Sequence, residues 1–188
     1  MLGARPGVPL SAAQQHALAE RTEGWPAGLR LASLALQADS DPDAFIAAFN
    51  GRHRYVREYF VDEVLAPLPA YLRRFLLQTA VLRRLCAPLC DALLGLEAER
   101  AGEAGYSGLL LAELARRNLF LIPLDHQDVW YRYLQLFADV LLDQLMAGAS
   151  AAEVSALHRR AAQWYAAAGE HDEALYHARL DQAAPLTP

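Results

Sequence analysis

Cys86 and Cys90 stand four residues apart in the run CAPLC, a spacing that brings two thiols near one another on a helix and would supply half of a metal site. Pro88 lies between them and no second ligand pair stands beside them, so they read as buried thiols without chemistry. The histidines give no metal pattern either. His126 falls in a polar turn and reads as solvated, and His171 and His177 flank the last helical segment without carboxylate or histidine partners at metal spacing. His158, beside Arg159 and Arg160, reads as part of a polar helix face. Glu58, Asp62 and Glu63 form a carboxylate cluster, but adjacent arginines and a clear apolar stripe mark a solvated surface. No GxSxG, HExxH or CxxC arrangement sets a nucleophile, a base and an orienting group together. The expectation is no catalytic residue, no metal and no enzymatic activity.

Every basic residue is arginine. Without lysine the chain holds no complete GxxxxGK[ST] loop, whose lysine reaches the β and γ phosphates, and it can form no lysine Schiff base. Net charge is −5, and the arginine pairs are scattered among acidic residues, which argues against non-specific nucleic-acid binding. An apolar content of 54% with 21% charged residues suits a globular protein. No apolar run approaches the roughly 20 residues that span a bilayer, and no basic-then-apolar leader is present, so a cytoplasmic protein without membrane contact is expected.

The elements that would position these groups are mainly helical. After a Pro/Gly-rich start, Ser11 with Gln14 has capping-box spacing for a helix running to about Thr22. A second helix starts at Pro26, with Leu29, Ala32, Leu34 and Leu36 inward, and a third at Asp41-Pro42, with Phe45, Ile46 and Phe49 inward. Val56, Tyr59, Phe60 and Val64 mark a fourth that stops before Pro67, and Leu72, Phe75, Leu76 and Thr79 a fifth. Pro88 to Leu96 and Tyr106 to Arg117 read as two more, with Glu97 to Gly105 as a loop.

The stretch from Asn118 to Leu145 breaks the helical pattern. Leu119 to Leu124 is β-prone, Asp125 to Asp128 is a polar turn, and Val129 to Tyr133 alternates large side chains before Leu134, Phe137, Leu141 and Leu145 resume a helical face. Helices followed by such a ribbon predict a winged helix. If Trp130 is core, its replacement by alanine costs about 3 to 5 kcal/mol. Beyond Gly148, Ser150 with Glu153 opens a new helix with Val154, Leu157, Ala161, Trp164 and Ala168 on one face. Gly169 marks a turn, and Ala174 and Ala178 recur on the next helix, so WYAAAGEHDEALYHA resembles the turn of a tetratricopeptide repeat.

Three segments in order, RTEGWPAGLRLASLAL, then NLFLIPLD with WYRY and LFADVL, then LHRRAAQWY, resemble the MalT-like, LuxR-family ATP-dependent transcriptional regulators of the signal-transduction ATPase class. The resemblance implies a mainly α chain in three parts. Residues 1–52 would be a helical lid segment after a nucleotide-binding core, 53–147 the winged helix with its two-stranded hairpin, and 148–188 the start of a tetratricopeptide-like sensor. In that family ATP and an inducer favour assembly, ADP holds a closed state, and a C-terminal helix-turn-helix binds DNA.

The resemblance also implies site residues. Gly24 and Pro26 match the family's Gly-x-Pro element, whose proline packs near the adenine; the same residues also read simply as a helix start with a packed tryptophan. Related ATPases carry a phosphate-sensing histidine after the wing, where this chain has Leu134, with Gln135 next. Leucine offers no donor to a phosphate. The resulting expectation is a regulatory relay with no cofactor of its own, using ATP or ADP only with a nucleotide-binding core. Its partners would be that ATPase domain, an inducer through a longer helical repeat, and DNA only through a C-terminal domain. A winged helix that binds DNA directly through Arg73, Arg74 and Arg132, and a short stand-alone helical adaptor, are the alternatives.

Overall fold

The computed structural model describes residues 10–36, 41–96 and 105–183. The Pro/Gly-rich start and residues 97–104 of the expected loop lie outside the described residues. Among those described, the chain is mainly α-helical with one two-stranded antiparallel hairpin, as the sequence pattern predicts. It divides into two compact units, residues 1–67 with 135–140, and residues 68–134 with 141–188.

In the first unit, α1 (Ala12–Arg21) opens on the expected reciprocal cap: the Gln14 amide donates to Ser11 Oγ at 3.2 Å and the Ser11 amide to Gln14 Oε1 at 3.0 Å. Next, α2 (Pro26–Leu36) buries Gly28, Ala32, Ala35 and Leu36, while Leu34 is 48% exposed, contrary to expectation. Positions 28, 32, 35 and 36 make one helical stripe, and Leu34 lies off it. Asp41 Oδ1 accepts the amides of Asp43 and Ala44, each at 3.1 Å, to start α3 (Pro42–Ala48). The predicted fourth helix is α4 (Arg54–Glu58) continued by a π-helical turn, Tyr59–Leu65. Its wider coil turns Phe60 and Leu65, five residues apart, to the same buried side. Around Phe60 the core is aromatic, with Trp25 stacked at 4.9 Å and Phe137 tilted at 5.0 Å.

The second unit contains α5 (Ala70–Thr79), α6 (Ala87–Leu94) and α7 (Tyr106–Arg116), then β1 (Leu121–Pro123) paired with β2 (Tyr131–Tyr133) in the register Leu121 to Tyr133 and Pro123 to Tyr131. Both strands are shorter than the apolar runs that predict them. Asn118 and Phe120 take positive φ, 53° and 55°, so extension begins only at Leu121. On the other side the Asp125 carboxylate accepts the amides of Gln127, Val129 and Trp130, which holds the turn closed up to Trp130. The Tyr133 hydroxyl is buried and bonds to Thr79 Oγ1 at 2.7 Å, fastening the ribbon to α5.

Helix α8 (Gln135–Gly148) follows directly, its residues from Leu141 onward belonging to this second unit. Then come α9 (Ala151–Ala167), with the predicted Ser150 and Glu153 capping box, and α10 (His171–Ala183) after a turn in which Gly169 takes φ 78°. Along α9 the buried face is Val154, Leu157, His158, Ala161 and Tyr165; Trp164 is half-buried and Ala168 is exposed, contrary to expectation. Tyr165 lies four residues beyond Ala161 and so continues the stripe through a full turn, whereas Ala168 is the C-cap, past the last helical residue.

Candidate functional site

The first candidate region is the chain break between α1 and α2. Gly24, exposed, takes φ 71°, a conformation that suits glycine, and Pro26, also exposed, is the first residue of α2. Between them Trp25 packs on Phe60, and a Cβ on Gly28 would stand 2.5 Å from the Trp25 ring, so Gly28 provides the space in which that ring lies. Leu134, at the position matched to the family's histidine, is 5% exposed and is the N-cap of α8. The orphan donors that begin α8 meet a carboxylate of the chain itself, since the Gln135 amide donates to Glu23 Oε1 at 2.7 Å. Glu23 holds its place from a left-handed conformation, φ 49°.

The second region joins the ribbon to the helix pair. Trp130 is half-buried, so the condition of full burial behind the larger cost of its replacement is not met. Its ring instead meets Trp164 of α9 edge-on at 6.2 Å and lies under the Arg84 guanidinium at 4.4 Å. Arg84 in turn pairs with Glu170 at 2.9 Å, and Arg83 lies over the Tyr176 ring at 3.7 Å. Further along α9, Arg160 Nη1 donates to the Leu93 carbonyl at 3.0 Å, at the end of α6.

Two histidines that the sequence pattern sets apart come together in this unit. His158 is buried, where a polar face is the sequence expectation, and its Nδ1 lies 2.9 Å from Nδ1 of His177, a residue whose sequence pattern supplies no histidine partner. Their separation of nineteen residues is bridged by the antiparallel return from α9 to α10, which spacing along one helix does not reveal. The Tyr165 ring stacks on His177 at 5.6 Å, and His177 Nε2 is buried without a hydrogen-bond partner among the described residues. Burial depresses both pKa values, that of His177 to about 4, with the neighbouring His158 and Arg83 adding to the effect. For His158, the Asp181 carboxylate acts against the effect of burial.

The remaining candidates are buried thiols and exposed polar side chains. Cys86 and Cys90 are free and buried, and burial raises both thiols. Glu58 pairs with Arg54 at 3.5 Å on an exposed face, and Asp62, Glu63 and His126 are exposed. Among the described residues no group of three or more His, Cys, Asp or Glu side chains could hold a metal ion, and no helix is long and apolar enough to cross a membrane.

Comparison with known proteins fits this architecture. The chain is 37% identical over 172 residues to proteins named serine/threonine-protein kinase PknK from Mycobacterium tuberculosis and Mycobacterium bovis, an alignment that takes in 92% of this chain. It spans 15% of the length of those relatives. The family model described as the MalT winged helix domain matches residues 61–153, a stretch that runs from the π-helical turn through the ribbon and α8 to the first turn of α9. Residues 61–153 are thus similar to the MalT winged helix domain.

Proposed function

We propose that this chain is a regulatory relay of a MalT-like, LuxR-family transcriptional regulator, coupling ATP or ADP state in a nucleotide-binding core to an inducer-sensing helical repeat. The observation that carries the proposal is the direct seating of the wing on the helix pair, with Trp130 between Trp164 and Arg84 and with Arg84 held to Glu170. A shift of the ribbon changes the packing of α9, so a ligand that prefers one arrangement biases the other by its differential affinity. The chain itself performs no reaction in this reading.

Trp130→Ala tests the seating. It is expected to cost about 1 to 2 kcal/mol, the sum of one aromatic pair and one cation–π contact at a half-buried site. More tellingly, hydrogen exchange should speed up in α9 and α10, far along the chain from the substitution. Protection there equal to that of the unaltered protein would sink the relay. The nucleotide side is tested by calorimetric titration with Mg-ADP. Saturable heat lost on Pro26→Ala assigns Pro26 an adenine contact, and no heat at millimolar nucleotide leaves the chain dependent on a separate nucleotide-binding core.

A direct DNA-binding winged helix is the weaker reading. Arg73 and Arg74 of α5 are exposed and line a cleft with the end of α8 and the start of α9, but the net charge of −5 and the absence of a continuous basic stripe in the sequence weigh against a duplex.

A further inference from the structure

We infer that this cleft is a binding site for a small organic anion, bearing phosphate or carboxylate groups on a partly apolar body. It lies within the second unit, walled by α5, the last residues of α8 and the first turns of α9, with a volume of about 590 Å³. That is the size of sites that take metabolites.

Its charge is lopsided. Arg73 and Arg74 reach it from α5 and Arg160 from α9, against one carboxylate, Glu153. The Glu153 oxygen Oε2 already accepts the Ser150 amide and hydroxyl, each at 2.8 Å, as the α9 cap. Those bonds, and to a smaller extent the neighbouring Arg74, hold the Glu153 carboxyl below its ordinary range. Elsewhere in the same unit Arg83, Arg84, Arg117 and Arg159 each find an acidic partner. Among the described residues Arg73 and Arg74 form no ion pair or hydrogen bond, although acidic residues of the chain outnumber basic ones, 22 to 17.

The site is also partly built in advance. Arg160 is fixed by its bond to the Leu93 carbonyl, so one of the three guanidiniums needs little ordering when an anion arrives. Gln78 and Gln144 add carboxamide donors, and Leu145 and Leu157 give an apolar floor. Guanidiniums bind phosphate and carboxylate oxygens bidentately, so the shared requirement is a planar or tetrahedral oxyanion carrying at least two negative charges. The cleft would hold such an anion whether or not the helix pair relays a signal.

Calorimetric titration of the chain at low salt with inorganic pyrophosphate and, separately, with citrate tests the site. Saturable binding of either is expected, and the tighter of the two identifies the oxyanion type. Arg73→Gln and Arg74→Gln should each weaken it by about tenfold, the effect of losing one charged hydrogen-bonding group. Arg116→Gln, an exposed arginine of α7, should leave it unchanged. Thermal melts of the variants confirm folding, and Arg74→Gln is read against the small loss expected from its attraction to Glu153. Equal weakening by Arg116→Gln, or no saturation by either anion at tens of millimolar, overturns the assignment. So does a short DNA duplex that binds more tightly than both anions and is released by the same two substitutions.

Discussion

Gly51→Ala is expected to lower the unfolding free energy of the first unit by about 3 kcal/mol, through overpacking and the strain it forces on neighbouring backbone. A Cβ at this position would lie 2.5 Å from the carbonyl oxygen of Leu136, 2.5 Å from Cβ of Asp139 and 3.0 Å from the amide of Val140. Two of those three atoms belong to the α8 backbone, which cannot rotate away as a side-chain tip can. Moving the loop to relieve the contact would break the bond from the Gly51 amide to Asp139 Oδ2, 3.1 Å long. Gly148→Ala is the control, because nothing lies within 4 Å of the added carbon, and it should be neutral or stabilising by about 0.5 kcal/mol. Urea titrations of the two variants should differ widely. Equal midpoints would mean that the loop and α8 do not approach as described.

The second large effect is a loss of stability in mild acid. His177 has its pKa depressed to about 4 in the folded chain, with burial the main cause, and His158 shifts in the same direction. A histidine of the unfolded chain takes its proton near pH 6.5. Above that value both states are neutral and the pair contributes its full stability. As pH falls, the unfolded chain binds protons first, so stability drops until the folded pKa is reached. Between pH 7 and pH 5 His177 alone should cost about 2 kcal/mol.

Charged neighbours adjust this without reversing it. Asp181 draws a proton toward His158, Arg83 repels one from His177, and the pairs Arg159 with Asp181 and Arg83 with Glu173 flank them. His53, in the other unit, is shifted in the same direction, by burial and by the neighbouring Arg54. The lowered carboxyls of Asp125, Glu153 and Asp181 act only nearer the usual carboxylate range, about pH 4 and below. His177→Gln keeps an amide for hydrogen bonding to His158 and cannot take the proton. It should therefore flatten the decline between pH 7 and pH 5 by at least half. A variant that retains the full decline would show that the pair is not its source.

The parts of this structure that sequence makes legible are those fixed by local physics. Ser11, Asp41 and Ser150 start helices because their side chains satisfy nearby backbone donors, and each does so where the spacing predicts. The ribbon is legible for the same reason, since Asp125 organises the turn from within it. Contacts made across the fold are not. Periodicity sets Leu34 inward because it treats every leucine alike, whereas the buried stripe of α2 runs through Gly28 and two alanines, small enough for close packing. The π-helical turn at Tyr59–Leu65 has an α-like apolar pattern and is distinguished by its backbone hydrogen bonds, such as that from the Ala66 amide to the Val61 carbonyl at 2.9 Å.

The candidate sites show the same division. Gly24 and Pro26 stand out in the sequence because the chain turns there, and Cys86 and Cys90 because their side chains are rare. His158 with His177, and Arg73 and Arg74 with Arg160, are invisible until α10 folds back on α9 and α9 lies beside α5. Glu23 gave no signal at all, being one carboxylate among many until its bond to Gln135 closes a gap of 112 residues.

That bond and the Gly51 to Asp139 contact, 88 residues apart, make the first unit a discontinuous one: residues 1–67 are completed by 135–140. On a ribosome, which delivers the chain from its N-terminus, α1 to α4 emerge well before the segment that finishes their core. Phe60 waits for Phe137, and Glu23 waits for the amide of Gln135. The order of synthesis therefore leaves the first-made helices incomplete while the whole of α5, α6, α7 and the ribbon is produced, and the closing of their core is set by the arrival of six residues at the start of α8.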